Sequence, residues 1–261
     1  MNLNKYFEKY ARKHISVLRK GGEEALSTLY SAWMDEYEPD LQCTPREFLR
    51  LQSVDTLAKM LEQEANEGVI GEAVVVELES RDCERELKLM IKESDNDDVT
   101  MTCVEILERK NCQPEVDVYL DVIADSSRSV QLREELISLL KNYADAAAPY
   151  IFDRLDDANI ELKTIFAEIL ICAQRDERTY ELLNELFAYG DNIPLYCSYI
   201  GSYGDERLAG ILYRALDKAD YADFCEISNA IERLGGTVDY DMKDFTSDPT
   251  YQKIKDVNKN A

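Results

Sequence analysis

Pro114-Glu-Val-Asp-Val-Tyr-Leu-Asp-Val-Ile-Ala-Asp125 and, five residues on, Val130-Gln-Leu-Arg133-Glu-Glu-Leu136-Ile-Ser-Leu139-Leu140 are the stretches in which the fold is most legible. The first carries apolar residues at Val116, Leu120 and Ile123, the spacing of one helical face closed by an acidic turn. In the second, an apolar residue follows a possible capping serine, Ser129, and Leu136 and Leu140 stand six and ten residues further on. Two helices joined by a short polar turn are therefore predicted, with their apolar faces turned towards each other.

The same arrangement recurs along the chain. Apolar or aromatic residues just after an Asp, Asn or Ser stand at Val99, Val130, Ile160, Ile193 and Tyr221, at intervals of 31, 30, 33 and 28 residues. Six residues past these anchors lie Glu105, Leu136, Phe166, Tyr199 and Ile227; ten past them lie Arg109, Leu140, Leu170, Tyr203 and Ile231. The first unit misses the register and the other four keep it. A shorter helix is expected before each: Pro114 to Asp125, Pro149 to Asp157, Thr179 to Asp191 and Arg207 to Asp217. A single pair of this kind cannot bury its apolar face, so neighbours must stack. The fold expected is all-α, a right-handed solenoid of antiparallel helix pairs.

The units Pro114 to Leu140, and Ala148-Pro149-Tyr-Ile-Phe-Asp-Arg-Leu-Asp-Asp157 with Ile160-Glu-Leu-Lys163, resemble HEAT-like repeats. In that family a Pro opens the first helix, an Asp sits at the turn, and an Arg or Lys comes early in the second helix. Arg133 and Lys163 match the basic position, whereas Tyr196 and Phe224 occupy it in the next two units. The resemblance covers about 80–236. It implies a protein-binding scaffold, although a few relatives are enzymes, including alkylpurine DNA glycosylases and phycobilin lyases. The chain is accordingly divided into a capping region of divergent helix pairs (1–79), a repeat array (80–236) and a polar tail (237–261) with one short helix and otherwise frayed.

Elsewhere the signals are local. Thr44-Pro45-Arg46-Glu47 is a helix start, with a cap, a Pro at the first helical position and a Glu reaching back. Breaks are expected at Gly21-Gly22, Gly68, Asn111, Gly190 and Gly204, among others. Residues 69–78 hold enough Val and Ile for a strand, yet Val69, Ala73 and Val76 also make a helical stripe, and no partner strand is evident; helix is the expectation.

The 261 residues carry 53 Asp and Glu against 30 Lys and Arg, a formal charge of −23. Such a chain repels nucleic acid phosphate and anionic membrane. The seven cysteines are scattered without a C-x-x-C pair, which suits a reduced cytoplasm. Neither a signal peptide nor an 18-residue apolar span is visible. A single histidine, His14, leaves little room for imidazole chemistry, and it falls on an apolar stripe with Leu3, Phe7, Tyr10 and Leu18. Residues 1–20 hold six Lys and Arg against Glu8, a net of +5, so the remainder carries −28. That basic helix suits either an anionic surface or an internal cap paired with the protein's own acids.

No catalytic, cofactor or metal motif emerges. Asp95-Asn96-Asp97-Asp98, set as a calcium loop, puts Thr100 where Gly is needed and Ile106 where a bidentate Glu is needed. Gly201 and Gly204 are not followed by the Lys-Ser/Thr of a phosphate loop. The acids at helix starts, such as Glu79, Asp82, Glu84 and Glu86, suit the helix dipole and solubility, or else form a face for a basic protein. Another protein is the expected partner, contacted through Tyr196, Glu134, Glu168, Arg133 and Lys163. Tyr196 is placed in the outward basic slot; Tyr199 and Tyr203 fall on core positions. An acidic decoy or inhibitor of a basic nucleic-acid-binding protein is the alternative, and a HEAT-like DNA glycosylase a minor one.

Overall fold

The computed structural model describes residues 3–259, with side chains described for all of these except 16–23 and 256–259. Among them are sixteen α-helices and no strand, the one isolated bridge joining Glu38 and Cys43. In chain order they are α1 (Leu3–Lys13), α2 (Ile15–Met34), α3 (Pro45–Leu51), α4 (Val54–Asn66), α5 (Glu72–Glu79), α6 (Glu84–Glu93), α7 (Asp97–Arg109) and α8 (Val116–Ala124). Then come α9 (Val130–Asn142), α10 (Ala144–Phe152), α11 (Ile160–Leu170), α12 (Glu177–Tyr189), α13 (Ile193–Tyr203), α14 (Ala209–Leu216), α15 (Tyr221–Arg233) and α16 (Pro249–Lys259). The chain is all-α. It divides into two compact units, Met1–Leu132 and Arg133–Ala261, the division falling within α9.

Four of the five second helices start at their anchors. Val130, Ile160, Ile193 and Tyr221 are the first residues of α9, α11, α13 and α15, and Val99 is the third residue of α7. The reason is local: a short polar side chain ahead of each helix takes up N–H groups that lack an intrahelical acceptor. Asn96 accepts from Asp98 and Val99, Ser129 from Leu132, Asn159 from Leu162, Asn192 from Leu195 and Asp220 from Asp223. At the other end, Gly190 and Gly204 close α12 and α13 at positive φ, where a side chain would be strained. The Thr44–Glu47 capping box is complete, Thr44 Oγ1 accepting from the Glu47 N–H at 3.1 Å and the Thr44 N–H donating to Glu47 Oε2 at 3.0 Å.

Within the first unit α3 packs on α5 and α5 on α7, while α4 meets α5, α6 and α7, and α6 lies against α7. Within the second unit, neighbours from α10 to α13 pack in sequence, α14 lies on α15, and α13 lies on α15. The cores follow the expected register: Leu136, Phe166, Leu140, Leu170 and Ile231 are fully buried, and Tyr199, Tyr203 and Ile227 nearly so. In α7 the register slips by one, so that Ile106 is buried and Glu105 exposed. Residues 72–79 of the ambiguous stretch are helix, capped by Gly71.

Two expectations need correction. Pro149 does not open α10; it lies inside it, and the helix begins five residues earlier at Ala144. Proline cannot supply the N–H that would bond to Asp145, but Asp145 is exposed, so water can serve its carbonyl. Gly21-Gly22 does not interrupt α2, which runs through from Ile15 to Met34. Two glycines cost roughly 1–2 kcal/mol of helix propensity, and no Pro or polar cap follows to end the helix. The tail holds one short helix, α16, which packs on α15. Phe245 is buried against Phe224 and Tyr221, Asp248 accepts the Tyr221 N–H at 3.1 Å, and Lys243 Nζ donates to Asp217 O at 2.9 Å. Leu18, last in the expected α1 stripe, lies outside the described side chains.

Candidate functional site

The five residues expected to meet a partner do not form one exposed patch. Tyr196 is 1% exposed, which overturns its placement in an outward slot. The helical geometry explains why. The position three past the anchor is separated by about 20° from the position ten past it, so both lie on one stripe facing the core. Phe224, at the same position in α15, is likewise 1% exposed. Where the position holds a cation, its stem is covered and its head reaches an acid. Arg133 approaches Glu161 at 3.4 Å and Lys163 approaches Glu185 at 2.7 Å. Glu168 is held too, taking the Lys141 ammonium at 3.0 Å and the Tyr199 hydroxyl at 3.4 Å. Of the five, only Glu134 is exposed, beside an exposed Glu135.

The core tyrosines are explained by the same contacts. A buried phenol needs a partner for its hydroxyl. Tyr203 OH donates to Asp176 O and accepts the Asp176 N–H, both at 2.9 Å; Tyr196 OH donates to Asp191. Burial, and for Tyr199 the nearby Glu168 carboxylate, push the phenol ionisation of Tyr196, Tyr199 and Tyr203 upward, so these groups stay neutral donors.

What the sequence reading missed is a set of polar links between residues about 30 apart. In the first unit Asn96 Nδ2 donates to Asn66 Oδ1 (3.3 Å, 30 apart) and Lys110 Nζ to Glu79 O (2.9 Å, 31 apart). Arg128, its side chain 8% exposed, donates to Ser94 O at 2.8 Å and Thr100 Oγ1 at 2.6 Å. Its Nε lies 2.8 Å from Asp97 Oδ1, an ion pair rather than an aligned hydrogen bond. Asp97 also accepts the Ser129 N–H at 2.7 Å. Burial raises the Asp97 pKa, but the Ser129 and Arg128 contacts outweigh it and hold the carboxyl below its ordinary value. The Asp95–Asp98 run is thus a helix cap and a cross-link.

In the second unit the motif Asp-Glu-Arg occurs twice, at 176–178 and 205–207. Each Asp accepts the N–H of its Arg (2.9 and 3.0 Å) and the guanidinium folds back onto the same carboxylate. The Arg178 guanidinium then lies 3.7 Å from the Phe152 ring centre, and that of Arg207 lies 4.3 Å from the centre of Tyr180. Arg207 further pairs with Glu177 at 2.8 Å. The arginine contacts hold Asp176 and Asp205 below the ordinary carboxylate range. The duplicated tripeptide was visible in the sequence, but its aromatic partners, 26 or 27 residues back, were not.

Chemically reactive groups are muted. Burial pushes the Cys103 and Cys197 thiols up to about 12, which removes the thiolate at neutral pH. An open groove of about 590 Å³ along α6 is lined by Arg85, Lys88, Leu89, Lys92 and Glu115, and its central cation, Lys88, is taken by Glu84 and Glu115 at 2.7 and 2.9 Å. Among the described residues no group of three or more His, Cys, Asp or Glu is placed to hold a metal ion, and no helix is long and apolar enough to cross a membrane. His14 is half-buried, its Nδ1 3.1 Å from Tyr10 O. Comparison with protein-family models, with curated proteins and with solved structures finds no match.

Proposed function

We propose that the chain is a non-catalytic protein-binding scaffold, a HEAT-like α-solenoid whose uncommitted acids receive a basic partner protein. The observation that carries this reading is the constant span of the long-range polar links. Within each unit, side chains reach a neighbour about 27 to 32 residues away, again and again: Asn66–Asn96, Asp97–Ser129, Lys141–Glu168, Glu177–Arg207. Helices two apart in sequence also pack together, as α3 with α5, α5 with α7, and α13 with α15. Both are what stacked helix pairs require, since each pair must meet the equivalent helix of the next. The links also consume cations. Lys88, Arg128, Lys141, Lys163 and Arg207 are engaged with the protein's own acids, so the charge left for a partner is negative.

The test is to reverse acids that the stack does not use. Glu168 is unsuitable, because Lys141 and Tyr199 rely on it, whereas Glu134 and Glu135 are exposed on α9. Glu134→Lys with Glu135→Lys is expected to leave the circular dichroism and Tm unchanged and to reduce capture of basic proteins from cytosol onto the immobilised chain. Unchanged capture by the variant counts against an electrostatic partner face that includes α9.

A further inference from the structure

Helix α1 sits on a floor that its contacts do not fully satisfy. The floor is built by α2, α4 and the turn into α5. Trp33, the only tryptophan in the chain, is 1% exposed, and Glu64 is 0% exposed. Glu64 Oε2 accepts the Gly71 N–H at 2.8 Å, and a Cβ on Gly71 would meet Asn4 Oδ1 at 2.7 Å and Glu64 Oε2 at 3.0 Å, so those side-chain ends would have to shift. Into this floor α1 sends Leu3, 2% exposed, and Phe7, whose ring stands edge-on to Tyr30 at 4.7 Å and tilted to Trp33 at 5.3 Å. Asn4 Nδ2 donates to Val69 O at 3.0 Å. At the rim Lys5 meets Glu67 at 2.6 Å and Lys9 meets Asp40 at 3.7 Å.

Two buried polar atoms stay without a bond of normal geometry: Trp33 Nε1 and Glu64 Oε1. Each is shut away from water, so each subtracts from the docking of α1. The Leu3 amide, at the positive end of α1, compensates the Glu64 carboxylate only in part, and burial still raises its pKa. The rim pairs are exposed and add little. The floor therefore suits a helix like α1, with Lys at the rim and an aromatic anchor, but carrying in addition a hydroxyl or amide near its start for Glu64 and an acceptor for the indole N–H.

We propose that α1 is a built-in occupant of a helix-receiving seat, and that a basic amphipathic helix from a partner protein takes the same seat when α1 lifts away. This deepens the scaffold reading and rests on it. The tethered α1 competes at an effective concentration in the millimolar range, so the seat is closed to weak ligands until α1 is displaced.

The test uses the full chain and a fluorescein-labelled synthetic peptide with the sequence of residues 3–13. Lys5→Glu with Lys9→Glu reverses the rim on α1 alone, and Phe7→Ala is added to remove its anchor. The expected result is a red shift of Trp33 emission in the variant and peptide binding at least about ten-fold tighter than to the unaltered chain, measured by anisotropy. The peptide carrying the same two charge reversals is expected to bind no better to the variant than to the unaltered chain. Trp33 emission unmoved in the triple variant overturns the proposal, because burial of the floor then does not depend on α1. Emission that moves without any gain in peptide affinity also overturns it. If both forms of the chain capture the same basic proteins from cytosol, the scaffold reading survives and the seat does not.

Discussion

Glu64 is a carboxylate held where no water reaches it, and its pKa is raised by that burial, with the Gly71 and Leu3 amides opposing the shift in part. The folded state thus binds the proton more tightly than the unfolded chain, whose ordinary value is 4.5. The charged form is a cost that is absent below the unfolded value, sets in as pH rises past it and is complete above the raised one. Glu64→Gln keeps an acceptor for Gly71, so it is expected to raise Tm at neutral pH, with the advantage fading as pH falls towards 4.5; an advantage that persists unchanged in acid contradicts the assignment. Core truncation gives the opposite sign. Leu136→Ala or Phe166→Ala should each lower unfolding free energy by about 2–5 kcal/mol in denaturant titrations, because both side chains are fully buried. Glu134→Ala, at an exposed position, should stay within about 0.5 kcal/mol.

At the scale of the helix, Arg128 ties the start of α9 to Ser94, Asp97 and Thr100 around the start of α7. Removing the guanidinium leaves the Asp97 charge without its counter-ion at a largely covered site, so Arg128→Ala is expected to cost roughly 3–5 kcal/mol by chemical denaturation. A loss below about 1 kcal/mol would show that the link is ornamental. How far such elements were legible differs from case to case. The starts of α9, α11, α13 and α15 could be read directly, because capping is a local signal carried by one polar residue and the apolar one after it. The core positions six and ten past each anchor were legible for the same reason. The slot three past the anchor was misjudged: an Arg and a Lys there suggested solvent, although the helical angle places Tyr196 and Phe224 with the core. Pro149 as a helix opener and Gly21-Gly22 as a break both rest on composition, which states a cost and not whether the surroundings outweigh it. The partners of Arg128, Arg178 and Arg207 were beyond reach, since each is decided by which helix is stacked beside it.

Across the whole molecule, −23 is the difference between 30 Lys and Arg and 53 Asp and Glu. Lys5 and Lys9 of the basic first helix are paired with Glu67 and Asp40, and the ion pairs of Lys88, Arg128, Lys141, Lys163 and Arg207 take up further cations within each unit. Each such pair uses one acid and one cation, so the excess of acid over cation, 53 against 30, is unchanged by the pairing and is what a basic partner would meet. Among the thiols, exposed Cys172 should be alkylated by iodoacetamide well before buried Cys103 or Cys197, as peptide mass mapping would register. The most direct measurement for the central claim is retention of a protein partner from cytosol on the immobilised chain at about 50 mM and about 500 mM salt. Basic proteins are expected to be held at the low concentration and released at the high one. Retention of nothing at low salt, or of the same proteins at both, would contradict it.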